Sequence, residues 1–151
     1  MLRSYAVGTM DSYLDRICEQ LQLTETQFNT AVKRYKAVGD WLTETDSPID
    51  TLSPSVFPQG SMLIRTTIRP TRKDQDVVPF DLDTVCRCDD VDPTKKSSQS
   101  LYGKIEARLR DNGHYAQRLT PEPKCLRLNY ESDDFYLDVV PATKDPTDEG
   151  G

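Results

Sequence analysis

The spacing of apolar residues changes between the first third of the chain and the rest, and this change most constrains the fold. Apolar residues recur at helical spacing over 10–22 and again over 28–42. The second stripe follows Thr24 and Gln27, which have the spacing of a capping box. Residues 80–88 instead alternate between apolar and polar side chains, as in a strand. The sequence therefore predicts an α+β fold with N-terminal helices packed on a β-sheet.

The second half of the chain predicts one further helix and two further strands. The helix is indicated by apolar residues spaced four apart, which are Leu101, Ile105 and Leu109. Strands are predicted over 126–130 and 135–140, with a hairpin turn between them and with Pro141 ending the second. The polar stretches 44–56 and 89–97 predict loops.

A length of 151 residues fits one domain. We expect this domain to span 1–143, with a helical part over 8–43, a sheet part over 57–142 and a flexible tail over 144–151. Apolar runs stay far short of the roughly 20 residues that cross a membrane, and the N-terminus does not have the pattern of a secretory signal. These features predict a cytoplasmic protein, without membrane contact, whose four cysteines are reduced thiols.

The acidic excess argues against one large class of partner. The formal net charge is −6, and such a surface repels the phosphate backbone of duplex DNA or RNA. Small nucleotides are not excluded, because a metal ion can screen their charge locally.

The cysteines and the lone histidine do not have the spacing of a zinc site. Cys86 and Cys88 are two positions apart rather than three, and only His114 could join them. We therefore expect buried or half-buried thiols. We expect His114, which follows Gly113, to be a turn residue rather than a catalytic base.

Two pairs of aspartates share the Asp-x-Asp spacing, and their settings differ. Asp74 and Asp76 follow a basic segment and are expected to be solvated loop acids. Asp81 and Asp83 lie inside the alternating segment, where residues two apart share a face at a separation of about 6.6 Å. Their carboxylates can converge on one or two divalent cations, and without a cation their repulsion is unfavourable.

A third aspartate, Asp138, has the same kind of setting in the strand predicted over 135–140. If this strand lies beside that of Asp81 and Asp83, three carboxylates meet on one face. An open set of oxygen ligands suits Mg²⁺ or Mn²⁺, and two such ions can clamp an in-line phosphoryl displacement. The alternative, from the acids alone, is that all three are exposed acids at the edge of a solvated sheet.

A short segment before these acids has the residues of a phosphate cradle. Phe57-Pro58-Gln59-Gly60-Ser61 predicts a short strand that runs into a tight turn. Gly60 lets the backbone approach a ligand closely, and Ser61 offers an N–H and a hydroxyl to a phosphate oxygen. Arg65 and Arg69 could contact a triphosphate or simply solvate a loop.

These motifs keep one order along most of the chain. They are the helix segment 31–39, Pro58-Gln59-Gly60-Ser61, Thr66-Thr67-Ile68-Arg69-Pro70, Phe80-Asp81-Leu82-Asp83, Cys125-Leu126-Arg127-Leu128-Asn129-Tyr130 and Leu137-Asp138-Val139-Val140-Pro141-Ala142. With them the chain resembles the bacterial cGAS/DncV-like nucleotidyltransferases, the CD-NTases, which make cyclic di- or trinucleotide signals in anti-phage defence.

The resemblance implies a polymerase β-like nucleotidyltransferase fold with the acid triad on a mixed β-sheet. It implies Asp81 and Asp83 as ligands of two metal ions, Mg²⁺ or Mn²⁺. Asp138 would complete the site of the ion that activates the attacking hydroxyl.

The resemblance also implies the substrates and the chemistry. Gly60 and Ser61 would hold the donor triphosphate, with Gln59 nearby. A nucleotide hydroxyl would attack the α-phosphate of ATP or GTP and release pyrophosphate. Nucleoside triphosphates are then the direct partners, and a downstream effector would respond to the cyclic product.

One departure from the family concerns length. Family members continue beyond the third acid into a helical C-terminal half, whereas only 139–151 follow Asp138 here. We therefore expect the catalytic half alone, as a truncated gene product or a fragment. Two alternatives stay open, namely an inactive nucleotide-binding module of the same fold and a minimal antitoxin-type nucleotidyltransferase. The 20-residue gap between Ser61 and Asp81 disfavours the second.

Overall fold

The structure is a computed structural model that describes residues 3–73, 76–91 and 97–145. Its strands are β1 (Pro54–Pro58), β2 (Thr71–Lys73), β3 (Asp76–Val78), β4 (Phe80–Cys88), β5 (Leu119–Pro121), β6 (Leu126–Tyr130) and β7 (Phe135–Thr143). Its α-helices are α1 (Arg3–Leu21), α2 (Glu25–Leu42), α3 (Gly60–Leu63), α4 (Ser97–Asp111) and α5 (Gly113–Ala116). Short 3₁₀ helices lie at Asp50–Leu52 and Glu131–Asp133.

Five strands form one sheet in the order β1-β4-β7-β6-β5. The pair β4 and β7 is parallel, and the other neighbouring pairs of this sheet are antiparallel. Strands β2 and β3 form a separate antiparallel hairpin. The sheet is mixed and is combined with helices, so the predicted α+β class is confirmed.

The hydrophobic core lies between one face of this sheet and the helices α2 and α4. Helix α2 begins with the predicted capping box: the Thr24 hydroxyl accepts from the Gln27 backbone N–H, and the Gln27 side chain accepts from the Thr24 N–H. Alternation along the strands places apolar side chains on the core face and polar side chains on the other. The residues that β4 and β7 bury in the core include Leu82, Cys86, Cys88, Leu137 and Val139.

The first helix differs from the prediction. The described side chains of α1, residues 9–21, are all exposed, so this helix does not pack on the sheet as α2 does. A helical stripe predicts an apolar face but does not specify what covers that face. Neither α1 nor another helix in the described residues has an apolar run long enough to cross a membrane. The exposed stripe consists of Met10, Tyr13, Leu14, Ile17 and Leu21.

The strand boundaries differ from the prediction at two places. Strand β1 begins at Pro54, inside the predicted loop 44–56, so the sheet begins before residue 57. Strand β7 continues through Pro141 to Thr143. Strand β6 ends its pairing opposite Val139, and within the described residues no strand pairs with this side of β7 beyond that point. A proline, which has no N–H to donate, is tolerated at such an edge.

Local predictions also need correction. Asp76 lies in the exposed strand β3 rather than in a loop, while Asp74 lies outside the described residues. His114 lies in α5, whose N-cap is Asn112, rather than in a turn. The predicted tail 144–151 lies outside the described residues from 146 onward.

Candidate active site

The sheet register brings the three aspartates of the two central strands to one face. Asp83 and Asp138 are direct partners in the parallel pair of β4 and β7. Asp81, two residues before Asp83, shares its face because side chains alternate along a strand. The prediction that the three acids meet on one face required β4 and β7 to be neighbours, and they are adjacent in the sheet.

The three carboxylates differ in their access to solvent. The Asp81 side chain is 58% exposed, whereas that of Asp138 is 9% exposed. Strands β4 and β7 are interior strands of the sheet. The alternative that all three are exposed acids at a sheet edge is therefore wrong. A nearly buried carboxylate such as Asp138 requires a compensating cation or hydrogen bonds.

Arg127 supplies that compensation in this structure. It is the antiparallel partner of Asp138 on β6. Its Nε donates to Asp138 Oδ1 at 2.8 Å and its Nη2 to Asp138 Oδ2 at 2.7 Å. The same Nη2 lies 3.3 Å from Asp81 Oδ1, so one guanidinium nitrogen bridges two of the three acids. The guanidinium also lies over the Tyr136 ring, with its Cζ 4.6 Å from the ring centroid.

Arg127 is a site residue that was not predicted from the sequence, although the hairpin between β6 and β7 carries a signal for it. The turn predicted between 126–130 and 135–140 pairs Tyr130 with Phe135. Counting outward from that pair along both strands places Arg127 opposite Asp138. The register of a tight hairpin thus identifies a cross-strand neighbour that spacing along the chain does not.

The electrostatics of the group follow from its burial and charges. Burial raises the pKa of Asp83, the charges of Asp138 and Asp81 raise it further, and Arg127 partly offsets this. Hydrogen bonding to Asp138 raises the pKa of Arg127, which stays charged. Burial and the charge of Asp138 also raise the pKa of Cys125 to about 11. This thiol is therefore protonated at neutral pH and is not a nucleophile.

The predicted phosphate cradle lies directly against Asp83. The Gln59 N–H donates to the Asp83 carbonyl at 2.8 Å. Gly60 then adopts φ +63°, and a Cβ built on it would lie 3.0 Å from Asp83 Oδ2. Both the backbone conformation and the space therefore favour glycine at this position. The turn thus keeps the backbone of Gly60 close to the Asp83 carboxylate.

Ser61 follows at the start of α3, and its Oγ lies within hydrogen-bond distance of Thr67 Oγ1, at 2.9 Å. Arg65 and Arg69, for which a triphosphate contact and a loop position were both considered, have other partners. Arg65 lies over the Phe28 ring, with its Cζ 5.2 Å from the centroid. Arg69 donates to the backbone carbonyls of residues 19 and 22. Arg69 thus joins α1 to the segment after α3, which is a structural role.

The donor set fits a hard divalent cation in chemistry and in backbone placement. The three acids offer oxygen ligands only, on adjacent strands and beside a glycine that admits no side chain. Within the described residues, no three Asp, Glu, His or Cys side chains converge closely enough to enclose an ion as they stand. The Arg127 guanidinium bridges Asp81 and Asp138 instead.

The chain matches a family model over residues 9–150, described as the Second Messenger Oligonucleotide or Dinucleotide Synthetase domain. It is 30% identical over 145 residues to a c-di-GMP synthase of Roseivirga ehrenbergii, covering 93% of this chain and 36% of that protein. It is 27% identical over 135 residues to the cyclic dinucleotide synthase CdnG of Bradyrhizobium diazoefficiens, covering 89% of this chain and 30% of that one. The chain therefore spans about a third of the length of these curated relatives.

Solved structures of similar proteins have the same fold. The structure of CdnG from Bradyrhizobium diazoefficiens in complex with GTP superposes with a TM-score of 0.67 at 28% identity, covering 87% of this chain and 37% of that one. Escherichia coli DncV in its 3′-deoxy GTP-bound form superposes with a TM-score of 0.62 at 13% identity, covering 85% and 49%. The second likeness shows the fold alone. The fold is that of the nucleotidyltransferases.

Proposed function

Because the chain belongs to the family of Second Messenger Oligonucleotide or Dinucleotide Synthetase domains, we propose that it is the catalytic part of a metal-dependent nucleotidyltransferase that makes a cyclic di- or trinucleotide. One observation carries the proposal: the parallel register sets Asp83 beside Asp138. Asp81 and the Gly60 turn adjoin this pair on the same side of the sheet.

We assign Asp81, Asp83 and Asp138 as the ligands of Mg²⁺ or Mn²⁺. When bound, the cation supplies charge neutralisation for the phosphates and lowers the pKa of the attacking hydroxyl. Interior strands fix the backbone of all three acids, so their relative positions need no ordering at the time of reaction.

We assign Gln59, Gly60 and Ser61 as the contacts of the donor triphosphate. The turn at Gly60 lets phosphate oxygens approach the backbone, and the Ser61 N–H and hydroxyl donate to them. The Gln59 N–H is already engaged with the Asp83 carbonyl, so this contact ties the cradle to the acid strand. A nucleotide hydroxyl attacks the α-phosphate and pyrophosphate leaves.

GTP is the first substrate to test. The curated relatives are a c-di-GMP synthase and CdnG, and the CdnG structure contains GTP. By the same family argument, the product would act on a downstream effector in anti-phage signalling in the cytoplasm. The acidic surface, with a net charge of −6, disfavours duplex nucleic acid as a partner.

The test is incubation with Mg²⁺ or Mn²⁺ and all four ribonucleoside triphosphates, followed by mass analysis of the products. We expect the 151-residue chain to bind metal–nucleotide weakly and to make little cyclic product, because an open site leaves the triphosphate in water. Any longer form that the gene encodes should make the cyclic product.

Other outcomes of this experiment would support the alternative functions. Nucleotide binding without pyrophosphate release from every form would indicate an inactive binding module. Transfer of a nucleotide to a protein acceptor would indicate the antitoxin-type activity. Efficient cyclic product from the 151-residue chain would contradict the expectation of little product.

A further inference from the structure

The Arg127 guanidinium is hydrogen-bonded to the carboxylate oxygens that a bound cation would use as ligands. It covers both oxygens of Asp138, with contacts of 2.8 and 2.7 Å. Its Nη2 also reaches Asp81 Oδ1 at 3.3 Å. A cation held by Asp81 and Asp138 would need carboxylate oxygens that this guanidinium already engages, because Mg²⁺ takes oxygen ligands.

We propose that Arg127 is the counter-ion of the acid triad in the metal-free protein, and that it leaves Asp138 when a divalent cation binds. The inference rests on the proposed function, since that function supplies the cation. In the metal-free state, the arginine holds the nearly buried Asp138 carboxylate in place on the sheet face that also carries Asp81 and Asp83. Arg127 is thus a positioning residue that exchanges with the metal.

The charge balance explains why a counter-ion is needed. Three carboxylates on adjacent strands repel one another, and the 9% exposure of the Asp138 side chain limits screening by water. A bidentate arginine neutralises one carboxylate with two charge-assisted hydrogen bonds. A divalent cation together with Arg127 in the same place would bring like charges together, so the two exclude each other.

The surroundings of Arg127 allow its side chain to move away from Asp138. Its side chain is 30% exposed, and its guanidinium already lies over the Tyr136 ring. A rotation toward solvent can keep the contact with that ring while breaking both bonds to Asp138. The freed guanidinium then lies beside the site, where a phosphate oxygen is a suitable new partner.

The first test measures Mn²⁺ affinity, from the electron paramagnetic resonance signal of free Mn²⁺, without nucleotide. We expect Arg127→Gln to bind Mn²⁺ about fivefold more tightly than wild type or better, because a competing cation has been removed. Arg127→Lys keeps the positive charge but cannot make the bidentate contact, so its Mn²⁺ affinity should lie between those of wild type and Arg127→Gln. Equal or weaker Mn²⁺ binding by Arg127→Gln would overturn the inference.

The matched control is Arg87→Gln. Arg87 lies on the same face of β4 as Asp83, four residues further on, and is paired with Asp89. The separation is about 13 Å at 3.3 Å per residue, which exceeds the Debye length of about 10 Å at 0.1 M salt. Its loss should therefore change Mn²⁺ affinity by less than about twofold. A change as large as that of Arg127→Gln would assign the effect to overall charge and overturn the exchange.

The second test needs no folded variant, because it follows the Nε–H resonance of wild-type Arg127 by NMR. This resonance should be protected from solvent exchange in EDTA and lose that protection as Mg²⁺ saturates the site. Unchanged protection at saturation would overturn the inference while leaving the metal site in place. If wild type binds neither Mn²⁺ nor Mg²⁺, the metal assignment of the proposed function fails and the inference fails with it.

Discussion

Asp83 of β4 and Asp138 of β7 are direct partners in the parallel pair of the central sheet. Parallel neighbours are joined by a crossover rather than a hairpin, here one that includes α4, α5, β5 and β6. The candidate site is therefore created by long-range topology, and Asp83 and Asp138 meet only when β4 and β7 have paired.

Replacing an acid of the site should separate activity from stability. We expect Asp81→Asn or Asp83→Asn to abolish nucleotide transfer in any form that has it. Each change also removes a negative charge from a repelling group, so the metal-free protein should keep or gain stability. Pyrophosphate release and melting temperature in EDTA measure the two effects. Substantial remaining transfer would refute the metal assignment, and a large fall in melting temperature would indicate a structural role.

The stability gained by Asp83→Asn should depend on pH in a defined direction. Burial and neighbouring charges raise the folded-state pKa of Asp83 above its unfolded value. The destabilisation by this carboxylate is thus fully present above the folded pKa and disappears as the pH falls toward the unfolded one. Melting in EDTA across this range should show the variant more stable at neutral pH and equal to wild type in acid. A gain that grows with acidity would contradict the assignment.

Gly60 should be intolerant of any side chain. It has φ +63°, and an added Cβ would lie 3.0 Å from Asp83 Oδ2. We expect Gly60→Ala to cost roughly 1–2 kcal/mol of stability from backbone strain and to reduce transfer, with Gly60→Val worse in both. The control is Gly103→Ala in α4, where a Cβ meets nothing within 4 Å. Gly103→Ala should raise the free energy of unfolding by about 0.5–1 kcal/mol. Wild-type behaviour of Gly60→Val would place the phosphate cradle elsewhere.

Much of the fold was predictable because local chemistry specifies it. The capping box fixes the start of α2, and alternation defines β4 and β6. The resemblance drawn from the ordered motifs is confirmed by the family match over 9–150.

Other features depend on contacts that no local pattern encodes. Strand β5 is three residues long and ends in Pro121, so it has no alternation to detect. Strand β7 continues through Pro141, which lies beyond the last pair of β6 and β7 at Val139. The pairing of Asp83 with Asp138 required a choice of sheet topology, whereas the pairing of Arg127 with Asp138 required only the hairpin register.

A buried arginine away from the site should be important for stability. Arg108 donates to the Trp41 carbonyl at 2.9 Å from Nη2, and its guanidinium lies 3.5 Å from the Trp41 ring centroid. It also pairs with Glu44, and the Trp41 indole N–H donates back to the Arg108 carbonyl at 2.9 Å. We expect Arg108→Ala to cost about 2–4 kcal/mol, because it leaves the half-buried Trp41 carbonyl without its donor and removes the guanidinium packed on the Trp41 ring. Urea unfolding measures this cost.

The control for Arg108 is on the same helix. Arg110 makes an exposed pair with Glu106 one turn away, and Arg110→Ala should change stability by no more than about 0.5 kcal/mol. Equal effects of the two substitutions would show that the Arg108 contacts contribute nothing beyond an ordinary surface pair.

Ser61 and Thr67 allow the phosphate role of a hydroxyl to be separated from its structural role. Their side-chain oxygens are 2.9 Å apart, so Ser61→Ala and Thr67→Val remove the same hydrogen bond, at a net cost of about 0.5–1.5 kcal/mol each. Only Ser61→Ala also removes the hydroxyl that we assign to a phosphate oxygen. A hydrogen bond to a charged group contributes about 1.5–3 kcal/mol. Ser61→Ala should therefore lower the rate of transfer by about tenfold or more. Thr67→Val should keep most of the activity. Equal losses of transfer in the two variants would mean that the Ser61 hydroxyl supports the turn and does not contact the substrate.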